Sequence, residues 1–137
     1  MVSKSGMKAF AILIISIMFF WSGVNKITNF NKKVETLTKK TNWPSLLCQI
    51  GMVGVIILEL LGFVLLIEYY YKIQFLLKIF KNIIAPERLI QLILLTIILF
   101  IITVTLIYHP LNFARPIPFL TNLTILGAFI YIYADLF

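Results

Sequence analysis

Leu46 to Ile67 reads LLCQIGMVGVIILELLGFVLLI, 22 residues with one formal charge, Glu59, near the middle. About 20 helical residues at 1.5 Å rise cross a hydrocarbon core of about 30 Å, so this run predicts a membrane span. A carboxylate inside such a span costs about 2.5–3.5 kcal/mol on insertion scales, so Glu59 needs a partner or a task. It is either a buried carboxyl hydrogen-bonded across helices or a protonatable group on an ion, proton or ligand path.

Three further apolar runs share the chain with it. The first extends from Ala9 to Val24 behind the basic Lys4 and Lys8, and continues through Ser22, Gly23, Asn25 and Lys26 without a small-residue cleavage site. It reads as a retained span over about 8–29 rather than a signal peptide. Residues 31–42, NKKVETLTKKTN, form a polar connection able to make a short surface helix. Asn42 offers an N-cap and Trp43-Pro44 opens the second span, about 44–67, with Trp43 as an interfacial aromatic. Gly51, Gly54, Leu58 and Gly62 make a small-residue seam along it for close helix approach.

Beyond Tyr69–Tyr71, the pattern of KIQFLLKIFKNII predicts an interfacial amphipathic helix over about 72–84. The third span, about 89–109, stops at His109-Pro110, since a residue before proline disfavours the helical region. The fourth, about 117–135, tolerates Pro116 and Pro118 at its start. The expected architecture is all-α: one polytopic membrane domain, 1–137, with four transmembrane helices in an antiparallel bundle and both termini on one side. Lys and Arg number six on each side, so the positive-inside rule leaves the orientation open.

Composition narrows the function. With 61% hydrophobic and 12% charged residues the chain is too apolar for a soluble domain. The 12 Lys+Arg against 5 Asp+Glu lie between apolar spans rather than on a folded basic face, which argues against nucleic acid and for lipid headgroups. One cysteine, Cys48, and one histidine, His109, provide no disulfide, no protein-only zinc site and no bis-histidine haem within one chain. Cys48 reads as a packing residue. The 24 Ile against 6 Ala suggest an AT-rich coding genome, such as that of a protist, a virus or some bacteria.

With each span centred on the midplane, Asn25, Lys26, Gln49, His109 and Asn122 fall in one half of the bundle. This cluster reads as interhelical hydrogen bonding with Lys26 snorkelling to the headgroups, or else as a quinone, headgroup or small-ligand pocket. Glu59 falls about 5 Å on the other side, nearest in depth to Gln91 and Thr96. A Lys26–Glu59 pair would then have to bridge about 17 Å, so no such pair is expected.

Phe19–Phe30 (FFWSGVNKITNF), Trp43-Pro44, Ile57–Ile67 (ILELLGFVLLI), a third helix ending at His109, and Phe119–Phe129 (FLTNLTILGAF) together resemble the DoxX family of small four-helix membrane proteins. The most specific piece is Ser22, Gly23, Lys26 and Phe30, followed by the helix carrying Glu59 and Gly62. The resemblance implies a four-helix bundle associated with membrane redox systems, in some members quinone-linked sulfur oxidation, and makes Lys26, Glu59, His109 and Asn122 the positions to watch. The long basic second connection and the missing basic residue at the start of the first span depart from the family pattern and point to a partner-facing adaptation.

The leading expectation is a non-catalytic subunit of a larger redox or respiratory membrane assembly, with no cofactor of its own, contacting lipids and other integral membrane subunits. The second is a quinone-linked oxidoreductase subunit that binds quinone near Lys26 and His109 and relays protons through Glu59. A lipid or small-solute carrier ranks third, because four short spans leave little room for alternating access. The mitochondrial inner membrane of a protist is the first expected location, with a bacterial plasma membrane or a viral membrane next.

Overall fold

A computed structural model of the chain describes residues 3–137. The elements are α1 (Lys4–Thr28), α2 (Phe30–Thr41), α3 (Ser45–Tyr71), α4 (Leu76–Phe80), α5 (Pro86–Tyr108) and α6 (Ile117–Leu136). Among the described residues there is no strand. Helices α1, α3, α5 and α6, of 25, 27, 23 and 20 residues, are long and apolar enough to cross a membrane. Helix is the form that satisfies every backbone polar group of such a segment within itself.

The chain divides into two compact units, Met1–Ile90 and Gln91–Phe137. In the first, Ser3 caps α1 by accepting a hydrogen bond from the Gly6 amide at 3.0 Å. Asn29 ends α1 and starts α2 without an intervening linker, its backbone N–H and its side-chain amide both returning to the Asn25 carbonyl. Helix α2 turns Val34 inward onto Cys48 and Met52 of α3, flanked by Phe30, Leu37 and Ile56. Val34, Phe30 and Leu37 recur at helical spacing, so one stripe of an otherwise polar helix fills this satellite core.

Two caps differ from expectation. Asn42 does not start α3; at φ 57° it closes α2 in the left-handed conformation that asparagine tolerates, with its N–H on the Thr38 carbonyl. Pro44 takes the N-cap position of α3, and its carbonyl receives the Cys48 amide. The helix expected over 72–84 is confined to Leu76–Phe80. Lys72, at φ 58°, ends α3, irregular backbone leads into α4 and turns follow it, and Glu68 draws the chain back onto the end of α3.

The face of α1 toward α3 carries Gly23. A Cβ there would stand 2.8 Å from Leu60 Cδ2 and 2.9 Å from Leu60 Cγ, so glycine is what lets these two helices approach. Phe20 and Phe63, with ring centroids 5.1 Å apart, pack one turn away. Gly51 and Gly54 are different: a Cβ on either meets nothing within 4 Å, whereas Gly62 of the same seam is buried.

In the second unit, Gln91 Nε2 donates to the Tyr133 hydroxyl at 2.9 Å, joining the start of α5 to the end of α6. Leu94, Ile97, Ile101 and Thr105 make a buried stripe on α5, while Leu92, Leu95, Leu99, Ile102 and Leu106 form an exposed one. Buried and exposed stripes of equally apolar residues are what a helix shows when lipid, rather than water, covers its outer face.

Overpacking the α1–α3 contact should weaken the fold. Gly23→Leu is expected to lower stability by ~1–3 kcal/mol, while Gly54→Ala stays within about 1 kcal/mol of wild type. Thermal unfolding of the purified variants in one detergent compares them.

Candidate functional site

Glu59 is buried at the middle of α3, with its side chain only 2% exposed. Its neighbours come from the last turns of α1. Lys26 Nζ stands 2.9 Å from Glu59 Oε1 and 3.1 Å from Oε2, and also donates to Ser22 Oγ at 2.6 Å. Ser22 in turn donates to Glu59 Oε1 at 3.3 Å. Ser22 and Lys26 are four residues apart and so share a face of α1. Gly23, between them in sequence, brings the α1 backbone onto Leu60 and the Glu59 Cβ. A serine, a glycine and a lysine at this spacing thus build a carboxylate receptor. The three protons of the ammonium match three acceptors: one hydroxyl and two carboxylate oxygens.

The ion pair overturns the expectation that Lys26 and Glu59 lie too far apart. That distance assumed spans centred at one depth, and α1 and α3 are staggered. Gly23 lies seven residues past the middle of α1, and its partner Leu60 lies two past the middle of α3. In an antiparallel pair the two middles are therefore about nine residues, or roughly 14 Å, apart. The stagger has a cause in α2, which occupies the flank of the first turns of α3, around Cys48 and Met52, and leaves α1 the later ones. Glu59 accordingly meets Lys26 and Ser22. Lys26, with its side chain 18% exposed, bonds to a carboxylate instead of only reaching for headgroups.

Asn25 and Gln49, of the same expected cluster, have different surroundings within the first unit. Asn25 is exposed and serves the end of α1, its Oδ1 accepting from Asn29 Nδ2 at 2.8 Å. Gln49 is exposed on α3 and borders an open groove with Asn31, Glu35, Thr38 and Lys39 of α2. Within that groove Lys39 pairs with Glu35 at 2.9 Å, and this hydrogen bond, reinforced by the lysine charge, holds the Glu35 carboxyl below its ordinary pKa. His109 and Asn122 belong to the second unit. His109 is exposed just after α5 with its ring 6.4 Å from that of Tyr108, and Asn122 is half-buried on α6. Among the described residues no three His, Cys, Asp or Glu side chains gather into a group able to hold a metal ion.

Glu68 was not singled out by the sequence. It is buried, and its carboxylate accepts from the Leu76 amide (2.9 and 3.1 Å to its two oxygens) and from the Leu77 amide (3.0 Å). Eight and nine residues separate these partners, a spacing outside any helical or capping pattern, so no local signal marked it.

No protein-family model matches the chain, and neither a curated protein nor a solved structure matches it.

Removing one member of the pair strands the other in an apolar site. Lys26→Met should destabilise the protein by about 3 kcal/mol, and Lys26→Met/Glu59→Leu by clearly less than the single variant, since breaking a buried pair costs more than replacing it with packed apolar groups. Unfolding in a fixed detergent, read by loss of helical circular dichroism, orders the three proteins.

Proposed function

We propose that this protein is a DoxX-like, non-catalytic accessory subunit of a larger redox or respiratory membrane assembly. Its four spans form an antiparallel bundle with both termini on one side, and the segment 72–84 lies in the membrane interface. The observation that carries this reading is the saturation of the Lys26–Glu59–Ser22 site. Every proton of the ammonium has an acceptor within the chain, and the carboxylate is buried behind it. A carboxylate that accepts from an ammonium and a hydroxyl of the neighbouring helix meets the requirement of a buried structural ion pair, in which both charges are paired and hydrogen-bonded. This one ties two spans together.

Two further features support the reading. Among the described residues no buried side-chain nitrogen or oxygen lacks a hydrogen-bond partner, so no orphaned donor is aimed at a ligand. Phe20 on Phe63 and Lys26 on Glu59 pair rising positions of α1 with falling positions of α3, and Gln91 on Tyr133 joins the start of α5 to the end of α6, which supports antiparallel neighbours.

Extraction of native membranes into polymer-bounded lipid discs, without detergent, tests the proposal. The protein should emerge in a particle with at least one other integral membrane subunit, and Lys26→Met/Glu59→Leu should still assemble there if the pair is structural. Recovery of the wild type only as a single chain with no companion would overturn the accessory role.

A further inference from the structure

The end of α3 carries a second buried acid, nine residues past Glu59, and around it the chain is folded for a different purpose. Glu68 holds the first two amides of α4 with its carboxylate, while its own carbonyl receives the Ile73 amide. Leu77 is thereby pressed into the protein, at 5% exposed, and its neighbours are turned outward. Phe75, Ile79 and Ile83 are 73%, 62% and 83% exposed. Lys72, Lys78 and Lys81 are exposed among them.

Between residues 69 and 86 there are these three cations and no acid. Large apolar side chains facing outward next to lysines, at the end of a span and beside three tyrosines, match the two requirements of an interfacial contact. Apolar groups enter the acyl boundary, and cations meet anionic headgroups.

We propose that residues 72–84 are a membrane anchor, clamped by Glu68, that seats on anionic phospholipid. This rests on the reading of the chain as a membrane-spanning bundle with this segment at the interface, and it names the lipid class and the device that presents the anchor. Glu68 is a positioning residue: it touches no lipid and fixes the direction in which Phe75 and Ile79 point. The carboxylate replaces the helical hydrogen bonds that a five-residue helix lacks at its start.

Cys48 is buried at 1% exposed, so an Ile79→Cys variant can be labelled selectively with an environment-sensitive fluorophore. The labelled protein is reconstituted into vesicles of phosphatidylcholine alone or of an equal mixture with phosphatidylglycerol, and quenching by neutral acrylamide is measured. Quenching should be roughly threefold weaker in the anionic vesicles, and the difference should shrink in high salt. Lys72→Gln/Lys78→Gln/Lys81→Gln should abolish the difference. Glu68→Ala should raise quenching in both lipids, with Glu68→Gln, which keeps one acceptor oxygen, falling between.

Equal quenching of the wild type in the two lipids, or a difference that survives the triple lysine change, overturns the anionic anchor. Unchanged quenching in Glu68→Ala overturns the clamp. Flotation after alkaline extraction separates this from the parent reading. A protein that floats with the vesicles but carries a water-exposed label refutes the anchor alone, whereas one that does not float refutes the spanning bundle.

Discussion

The close approach of α1 to α3 at Gly23 is the constraint on which the first unit depends. A single missing Cβ lets Leu60 and the Glu59 Cβ come against the α1 backbone. From that contact follows the ability of Lys26 and Ser22 to reach the carboxylate, because side chains of their length close only over a short gap. The approach and the polar lock reinforce one another: a larger residue at 23 would push the acceptor away, and without the lock a buried acid would hold the helices apart to reach water. The contact, with Phe20 beside Phe63 on one side of Gly23 and Lys26 on Glu59 on the other, also sets the register along the axis.

That register assigns work to α2. Because α1 packs on the later part of α3, the earlier part needs another cover, and the stripe of Phe30, Val34 and Leu37 supplies it over Cys48 and Met52. A helix that by composition belongs in water thus takes part in the core with one narrow stripe. Lys32 and Lys39 remain on the far side, while Lys33 lies at the edge of the stripe and is half-buried.

Much of the architecture was legible in the residues. Apolar runs of span length located α1, α3, α5 and α6 to within a few positions, because a membrane span needs no information beyond length and hydrophobicity. The site was legible in its members and illegible in its pairing. Ser22, Gly23, Lys26 and Glu59 all stood out, yet helix register depends on which neighbour fills which flank, and that is a property of packing rather than of any one run. Equal centring is a fair assumption for spans joined by tight turns. It fails where a connection such as α2 is itself folded onto one of the helices it joins. Glu68 was illegible for a related reason, since its hydrogen bonds cross a turn that only the folded chain defines.

The 33-position separation of Lys26 and Glu59 sets an order of events during synthesis. At about 5–20 residues per second, Lys26 emerges from the ribosome roughly two to seven seconds ahead of Glu59. During that interval the lysine has no counter-charge. Its four-carbon stem lets the ammonium wait in the headgroup region while the rest of α1 sits in hydrocarbon. Glutamate, with its shorter stem, has no comparable refuge near the middle of α3. The cation therefore stands on the helix that arrives first, and the acid on the one that arrives to find its partner already in place.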